Sequence, residues 1–155
     1  MIIKLKNTNY NNFIYDNNYL EKIYPYKYLG INIHNQLNWN YSIEKRIIRG
    51  WKCYYRLENN CNSMNIWTLS KKKILFETLV TCLLLYGCEV WGYNISRESW
   101  SNIEFIQMLF INYNLNIKGN TPYPFLLIEV GLCPIERTVV TTYLVYTKNL
   151  YKNYF

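Results

Sequence analysis

The sequence is poor in the residues that bind catalytic metal ions. One of its 155 residues is aspartate (Asp16), one is histidine (His34), and no two acidic residues form a tight pair. Two-metal catalysis needs closely spaced carboxylates, and catalytic triads or histidine-based metal sites need more than a lone imidazole. The composition therefore predicts that this chain by itself holds no metal ion or cofactor and catalyses no such reaction.

Glycine and cysteine are arranged in ways that exclude other common sites. The six glycines are scattered and form neither a phosphate-binding loop nor a nucleophile elbow. The five cysteines are odd in number and include no Cys-x-x-Cys pair, so neither a disulfide framework nor a zinc site is expected. Reduced thiols are the plain interpretation, and they predict an intracellular location.

Long hydrophobic runs are missing as well. The first six residues are typical of a strand and not of a secretory signal, because their apolar run is short and no cleavage site follows. The one membrane candidate, residues 74–90, is shorter than about 20 apolar residues and contains Glu77 and Glu89. It predicts a buried helix, with membrane anchoring through residues 79–90 as the alternative.

What the chain does have is positive charge. Lys and Arg number 17 against 10 Asp and Glu, which gives a formal net charge of +7 and a pI near 9.1. Such an excess indicates a polyanionic partner, most often nucleic acid, and a solvated surface without a partner is the alternative. The 17 tyrosines accompany many Asn, Lys and Ile residues, as in AT-rich genes, and are not taken as evidence for base stacking.

Periodicity divides the chain into two parts. Residues 1–35 combine Asn-rich turn signals with short runs at 13–15 and 28–33, which predict strands of a small antiparallel β meander. After Trp39 the apolar period becomes 3.6 residues, which predicts helices. The predicted fold class is mostly α with a small N-terminal β meander (α+β), and no long linker divides the chain.

The clearest predicted helix covers residues 40–57. Its apolar face carries Ile43, Ile47, Gly50 and Tyr54. The opposite face carries a narrow row of cations, with Arg46 to one side: Lys45, Arg49, Lys52 and Arg56. Such a row can follow a phosphate backbone without reading bases, and an ordinary solvated helix face is the alternative.

A polar loop at 58–65 and a second helix are predicted next. Ser70 is the expected N-cap, and the helix ends near Tyr86. Its first turn carries Lys71, Lys72 and Lys73, where cations oppose the helix dipole. Their position suggests an anionic partner, and three solvated lysines are the alternative.

The C-terminal part predicts three more helices. Ser96 or Ser99 caps the first, Gly131 ends a short helix at 124–130, and Pro134 begins the last. The expected buried faces carry Ile103, Ile106 and Phe110 in the first of these helices and Ile135, Val139, Tyr143 and Tyr146 in the last.

Three blocks of the sequence resemble one known family. They are residues 26–33, with Tyr28, Leu29 and Gly30; residues 85–92, with Tyr86, Gly87, Trp91 and Gly92; and residues 121–136. In this order and at these intervals, they resemble the C-terminal part of the reverse transcriptase domain of non-LTR (LINE-type) retrotransposons. The resemblance covers about residues 24–150.

The resemblance implies a part in RNA-directed DNA synthesis. Residues 1–35 would be the end of the palm, and residues 36–155 would form a thumb-like helical bundle and post-thumb region. The partner would be an RNA/DNA template–primer duplex, in the nucleus for a eukaryotic element. The active site with its magnesium ions would lie before residue 1, so this fragment would bind without catalysing, or act with a palm supplied in trans.

The resemblance also implies roles for particular residues. Tyr28, Leu29 and Gly30 would lie near the primer grip. Tyr86 and Trp91 would pack against neighbouring helices, and Gly87 and Gly92 would end a helix. The template–primer duplex would meet eight cations: Lys45, Arg46, Arg49, Lys52, Arg56, Lys71, Lys72 and Lys73.

Two further interpretations stay open beside this one. The chain could be the non-functional relic of a decayed element, which would have the same sequence signature. It could also be a small helical protein-interaction module whose basic face is incidental. A steep loss of duplex affinity with rising salt would favour nucleic-acid binding over the interaction module.

Overall fold

The computed structural model describes residues 14–16, 18–19, 25–34, 37–66, 68–117 and 121–154. The strand predicted at the first residues lies outside this part of the chain. The described elements are β1 (Ile14–Tyr15), β2 (Asn18–Tyr19), β3 (Tyr26–Tyr28), β4 (Ile31–Ile33), α1 (Asn40–Ser63), α2 (Leu69–Leu75), a π-helical segment (Phe76–Thr81), α3 (Cys82–Leu85), α4 (Cys88–Trp91), α5 (Arg97–Leu115), α6 (Tyr123–Val130) and α7 (Ile135–Tyr154).

The strands form two separate antiparallel pairs, β1 with β2 and β3 with β4. Leu29 and Gly30 join β3 to β4, with φ angles of 44° and 81°. Two successive residues with positive φ are what a type I′ hairpin turn requires. The prediction of one strand over 28–33 is therefore wrong, whereas a mostly helical fold with a little N-terminal antiparallel β structure is confirmed.

Helix α1 is central to the fold and longer than its periodicity predicts. It continues to Ser63 through a turn rich in asparagine, a residue with low helix propensity. On this turn Cys61 is buried, and Glu58 is buried where it meets Lys72 of α2. The prediction of a loop from residue 58 is wrong because packing of this turn outweighs its intrinsic preference.

Helix α2 runs through the π-helical segment into α3. It begins at Leu69, with Thr68 extended at the N-cap position, so the predicted cap at Ser70 is wrong. The helical run ends at Leu85, close to the predicted end, and Gly87 then adopts a left-handed φ of 73°. A Cβ at Gly87 would lie 2.7 Å from Cδ1 of Ile31, so glycine also lets the β3–β4 hairpin pack here.

The block at 85–92 is arranged as predicted, and Tyr86 contacts Arg46 of α1 although it stays half exposed. Trp91 is fully buried, and its Nε1 donates to the backbone carbonyl of Tyr86 at 3.2 Å. Gly92 is the C-cap of α4, as expected for a residue that ends a helix. Tyr86 is 53 % exposed, because the backbone leaves the helical conformation at this residue.

Helix α5 begins at the first of the two candidate caps. The Ser96 hydroxyl accepts a hydrogen bond from the backbone N–H of Ser99 at 3.2 Å. Its predicted apolar face is buried, and Phe110 stacks on Phe76 with ring centroids 4.3 Å apart. This stack joins α5 to the π-helical segment in the middle of the core.

The end of α6 and the start of α7 lie where the sequence predicts them. Gly131 closes α6 with a left-handed φ of 67°, and α7 begins directly after Pro134. Val139 is fully buried, but Tyr146 is exposed. The apolar face predicted for α7 therefore contacts the core only over its N-terminal part.

The membrane candidate at 74–90 is distributed over several elements. It is divided among the end of α2, the π-helical segment, α3 and α4, with a turn at Gly87. Within the ranges that the structure describes, no helix has both the length and the apolar character needed to cross a bilayer.

Candidate nucleic-acid interface

The outer face of α1 carries the row of cations that the sequence places there. All four side chains are exposed: Lys45, Arg49, Lys52 and Arg56. Among the described residues none of them forms an ion pair, although Nζ of Lys45 lies 5.4 Å from the ring centroid of Tyr41. The row extends about 16 Å along the helix, at 1.5 Å per residue. These four residues are called the basic face below.

The opposite side of α1 is fixed by close packing. A Cβ at Gly50 would lie 2.4 Å from Cδ2 of Leu84, so glycine allows α1 and α3 to approach each other closely. Ile43 and Tyr54 are buried in the same core. The basic face is therefore presented by a helix anchored along much of its length.

Arg46 does not belong to the basic face. It is 5 % exposed, and its guanidinium lies over the ring of Tyr86, 5.1 Å from the centroid. Its Nε and Nη2 are buried without a hydrogen-bond partner in the described part of the chain. Burial and then the charge of Arg49 lower its pKa. The prediction that Arg46 contacts a duplex is not supported by this placement, because α1 turns it inward.

Lys72 is also buried, and it has a partner within the protein. It is 5 % exposed, and its Nζ lies 3.5 Å from Oε2 of Glu58 in α1. Asn114 of α5 donates to the other carboxylate oxygen of Glu58 at 3.1 Å. Glu58 is thus an anionic partner of Lys72 within the protein, and the prediction that Lys72 contacts a nucleic acid is not supported by this buried position.

The other two lysines of this turn differ from Lys72 and from each other. Nζ of Lys73 donates to the backbone carbonyls of Val130, at 3.2 Å, and Gly131. Both carbonyls lie at the C-terminal end of α6, where the helix dipole favours a cation. Lys73 therefore also has hydrogen-bond partners within the protein. Lys71 is exposed and remains a candidate for nucleic-acid contact.

The residues predicted near a primer grip form the β3–β4 turn. Tyr28 and Leu29 are exposed, and the hydroxyl of Tyr86 donates to the carbonyl of Leu29 at 2.9 Å. Gly30 provides the second positive φ of the turn. Tyr86 therefore touches both the turn and Arg46, and it links the hairpin to α1. The role of the turn in primer binding stays a prediction.

The structure has a cleft between α1 and the C-terminal part of α5 that the sequence does not predict. Its volume is about 390 Å³, and it is lined by Tyr54, Tyr55, Leu109, Asn112, Tyr113, Asn116 and Ile117. Oδ1 of Asn112 is shielded from solvent and has no hydrogen-bond partner in the described chain. Tyr54 and Tyr55 are adjacent in the sequence, but they give no distinct signal of a cleft there because the whole chain is rich in tyrosine.

Metal ligands are not grouped in the described part of the chain. No three His, Cys, Asp or Glu side chains lie close enough together there to hold an ion. With a single aspartate in the whole sequence, these residues do not fit the paired-carboxylate magnesium site that the resembled enzymes would need.

Comparison with known proteins does not identify a relative. No protein-family model, no curated protein and no solved structure matches the chain. The function of this chain must therefore be inferred from the geometry and chemistry of its own residues.

Proposed function

We propose that this chain binds the phosphate backbone of a nucleic-acid duplex through the basic face of α1. In this proposal it is the thumb-like part of a LINE-type reverse transcriptase, it holds an RNA/DNA template–primer, and it has no polymerase activity of its own. The observation that carries the proposal is the row of four exposed cations, which have no acidic partner within the described part of the chain.

The geometry of the basic face suits a phosphate backbone. Residues three and four apart are neighbours on a helix surface, so Lys45, Arg49, Lys52 and Arg56 form a continuous row. Duplex DNA carries one charge per about 1.7 Å of axis, so a row of about 16 Å can meet several phosphates at once. Contacts of this kind position a protein on a duplex without reading its sequence.

Catalysis would have to come from another chain or domain. The donor set on this chain does not fit a two-magnesium site, so a palm domain supplied in trans is the partner that the proposal needs for polymerisation. In a eukaryotic element, such an assembly would act in the nucleus.

The test is a titration of the purified chain against a labelled RNA–DNA hybrid duplex at several salt concentrations. Each phosphate contact contributes about −0.9 to the slope of log affinity against log salt, so four contacts predict a slope of about −3 to −4. Micromolar or tighter binding with this slope supports the proposal. A folded sample that does not bind, or binds with a flat slope, contradicts it.

A second candidate function is a helical protein-interaction module. It is favoured by α7, which exposes several large apolar side chains: Val140, Leu144, Val145, Tyr146, Leu150 and Tyr151. Exposed apolar surface, where it is contiguous, is typical of contacts between proteins. Light scattering separates the candidates, because self-association that persists in high salt without any duplex binding would favour the module.

A further inference from the structure

We propose that the cleft between α1 and α5 takes an unpaired base from a strand whose phosphates lie on the basic face. The preferred ligand is then a duplex with a single-stranded extension, which should bind more tightly than a fully paired duplex. This inference rests on the proposed contact between the basic face and phosphates, and it adds a second, non-ionic contact beside it.

The walls of the cleft are suited to the flat face of a base. Tyr55 is 58 % exposed and Tyr113 is 56 % exposed, so more than half of each side chain is open to solvent. Leu109 and Ile117 add apolar surface to the same cleft. Bases stack on aromatic side chains with little preference for sequence, because every base has a π-face.

Tyr55 is held in place by its aromatic neighbours. Its ring stacks on Trp51, with centroids 5.7 Å apart and an interplanar angle of 25°. Trp51 in turn packs on Phe105 of α5, with centroids 5.9 Å apart. A ring that is already ordered loses little further freedom when a base stacks on it, which favours binding.

The cleft and the basic face are neighbours on α1. Lys52 and Tyr55 are three residues apart and therefore adjacent on the helix surface, and Arg56 directly follows Tyr55. A strand with its phosphates at Lys52 and Arg56 would have its bases beside Tyr55. This combination of cations with an aromatic surface is typical of proteins that bind single strands.

The test compares two hybrid duplexes that carry the same number of phosphates. One has a short single-stranded extension with normal bases, and the other has an equal extension of abasic nucleotides. The full-length chain should bind the base-bearing extension about tenfold more tightly, within the range for one stacked base. Equal affinity for the two would overturn the inference and leave the proposed function intact.

Substitutions then locate the effect in the cleft. Tyr55→Leu combined with Tyr113→Leu should remove the preference for bases while leaving binding to the abasic duplex unchanged. Tyr93→Leu is the matched control, because Tyr93 is equally exposed but packs on Tyr143, outside the cleft.

Each result has a distinct meaning. A preference that survives in the double tyrosine variant would overturn the inference, because the bases would then be bound elsewhere. Failure of the wild-type chain to bind any of the duplexes would contradict the proposed function itself.

Discussion

The basic face of α1 and the three lysines at the start of α2 are both concentrations of positive charge on helices, but they differ in spacing and in their surroundings. The four cations on α1 are exposed and lack ion pairs in the described chain. On α2, Lys72 is buried against Glu58 and Lys73 is bonded to the end of α6, which leaves Lys71 as the one exposed cation of the three.

The comparison shows that helix phase and the neighbouring elements determine whether a cation is exposed to solvent or buried in the fold. Three consecutive residues on a helix point in three directions, about 100° apart, so one faces solvent while others face the core. A row at spacings of three and four keeps one direction instead. Local charge density therefore overestimates the exposed basic surface at residues 71–73, whereas periodic charge correctly predicts an exposed basic surface on α1.

The largest expected effect comes from breaking the buried ion pair. Lys72→Ala should lower the free energy of unfolding by about 3 kcal/mol or more, because it leaves Glu58 buried without its cation. Lys71→Ala should change it by less than about 0.5 kcal/mol, as is usual for surface substitutions. Urea unfolding of the two variants measures the contrast.

The control for this prediction removes both charges together. Replacing Lys72 by Met and Glu58 by Leu in one variant should restore much of the lost stability, since apolar residues can replace a buried pair without large cost. If Lys72→Ala proves as mild as Lys71→Ala, the contrast between the two lysines is contradicted.

A smaller loss is expected at Lys73. Lys73→Met removes a cation that donates to two carbonyls at the C-terminal end of α6, and it should cost about 1–2 kcal/mol. Relative to the wild-type chain, the variant should show faster hydrogen exchange in α6, and the increase should be larger there than in α1. An unchanged exchange rate in α6 would mean that the lysine does not stabilise this helix end.

The smallest effect is expected at Arg46. Arg46→Met loses a cation–π contact of about 2 kcal/mol but also removes two buried donors that have no partner among the described residues, which cost about 1–3 kcal/mol each. The melting temperature should stay the same or rise. A clear fall would contradict this prediction, because it would indicate that Arg46 has an anionic partner.

Much of the helical part could be predicted from the sequence because its signals are local. The cap at Ser96, the left-handed end at Gly131 and the start after Pro134 each depend on the chemistry of one or two residues. The length of α1 could not be predicted, because its last turn is stabilised by the contact of Glu58 with α2. The turn at Leu29 has a positive φ at a residue that seldom adopts one.

The candidate site, too, could be predicted from the sequence only in part. The basic face follows from helical period alone and is found where the sequence places it. The burial of Arg46 and Lys72 depends on elements distant in sequence, as does the cleft at Asn112, which needs α1 and α5 side by side. Periodicity gives the faces of one helix, but it cannot say which other helix covers them.

The central claim is that the basic face of α1, and not positive charge in general, binds the duplex. The most direct test compares two triple variants of equal charge against the RNA–DNA hybrid across a salt series. One is Arg49→Ala, Lys52→Ala and Arg56→Ala; the other removes three exposed cations elsewhere, Arg97, Arg137 and Lys148.

The account predicts that the α1 variant binds weakly and that its salt slope is shallower by up to about three, while the control keeps most of the wild-type slope. Equal losses in the two variants, or an α1 variant with unchanged affinity, would contradict the claim.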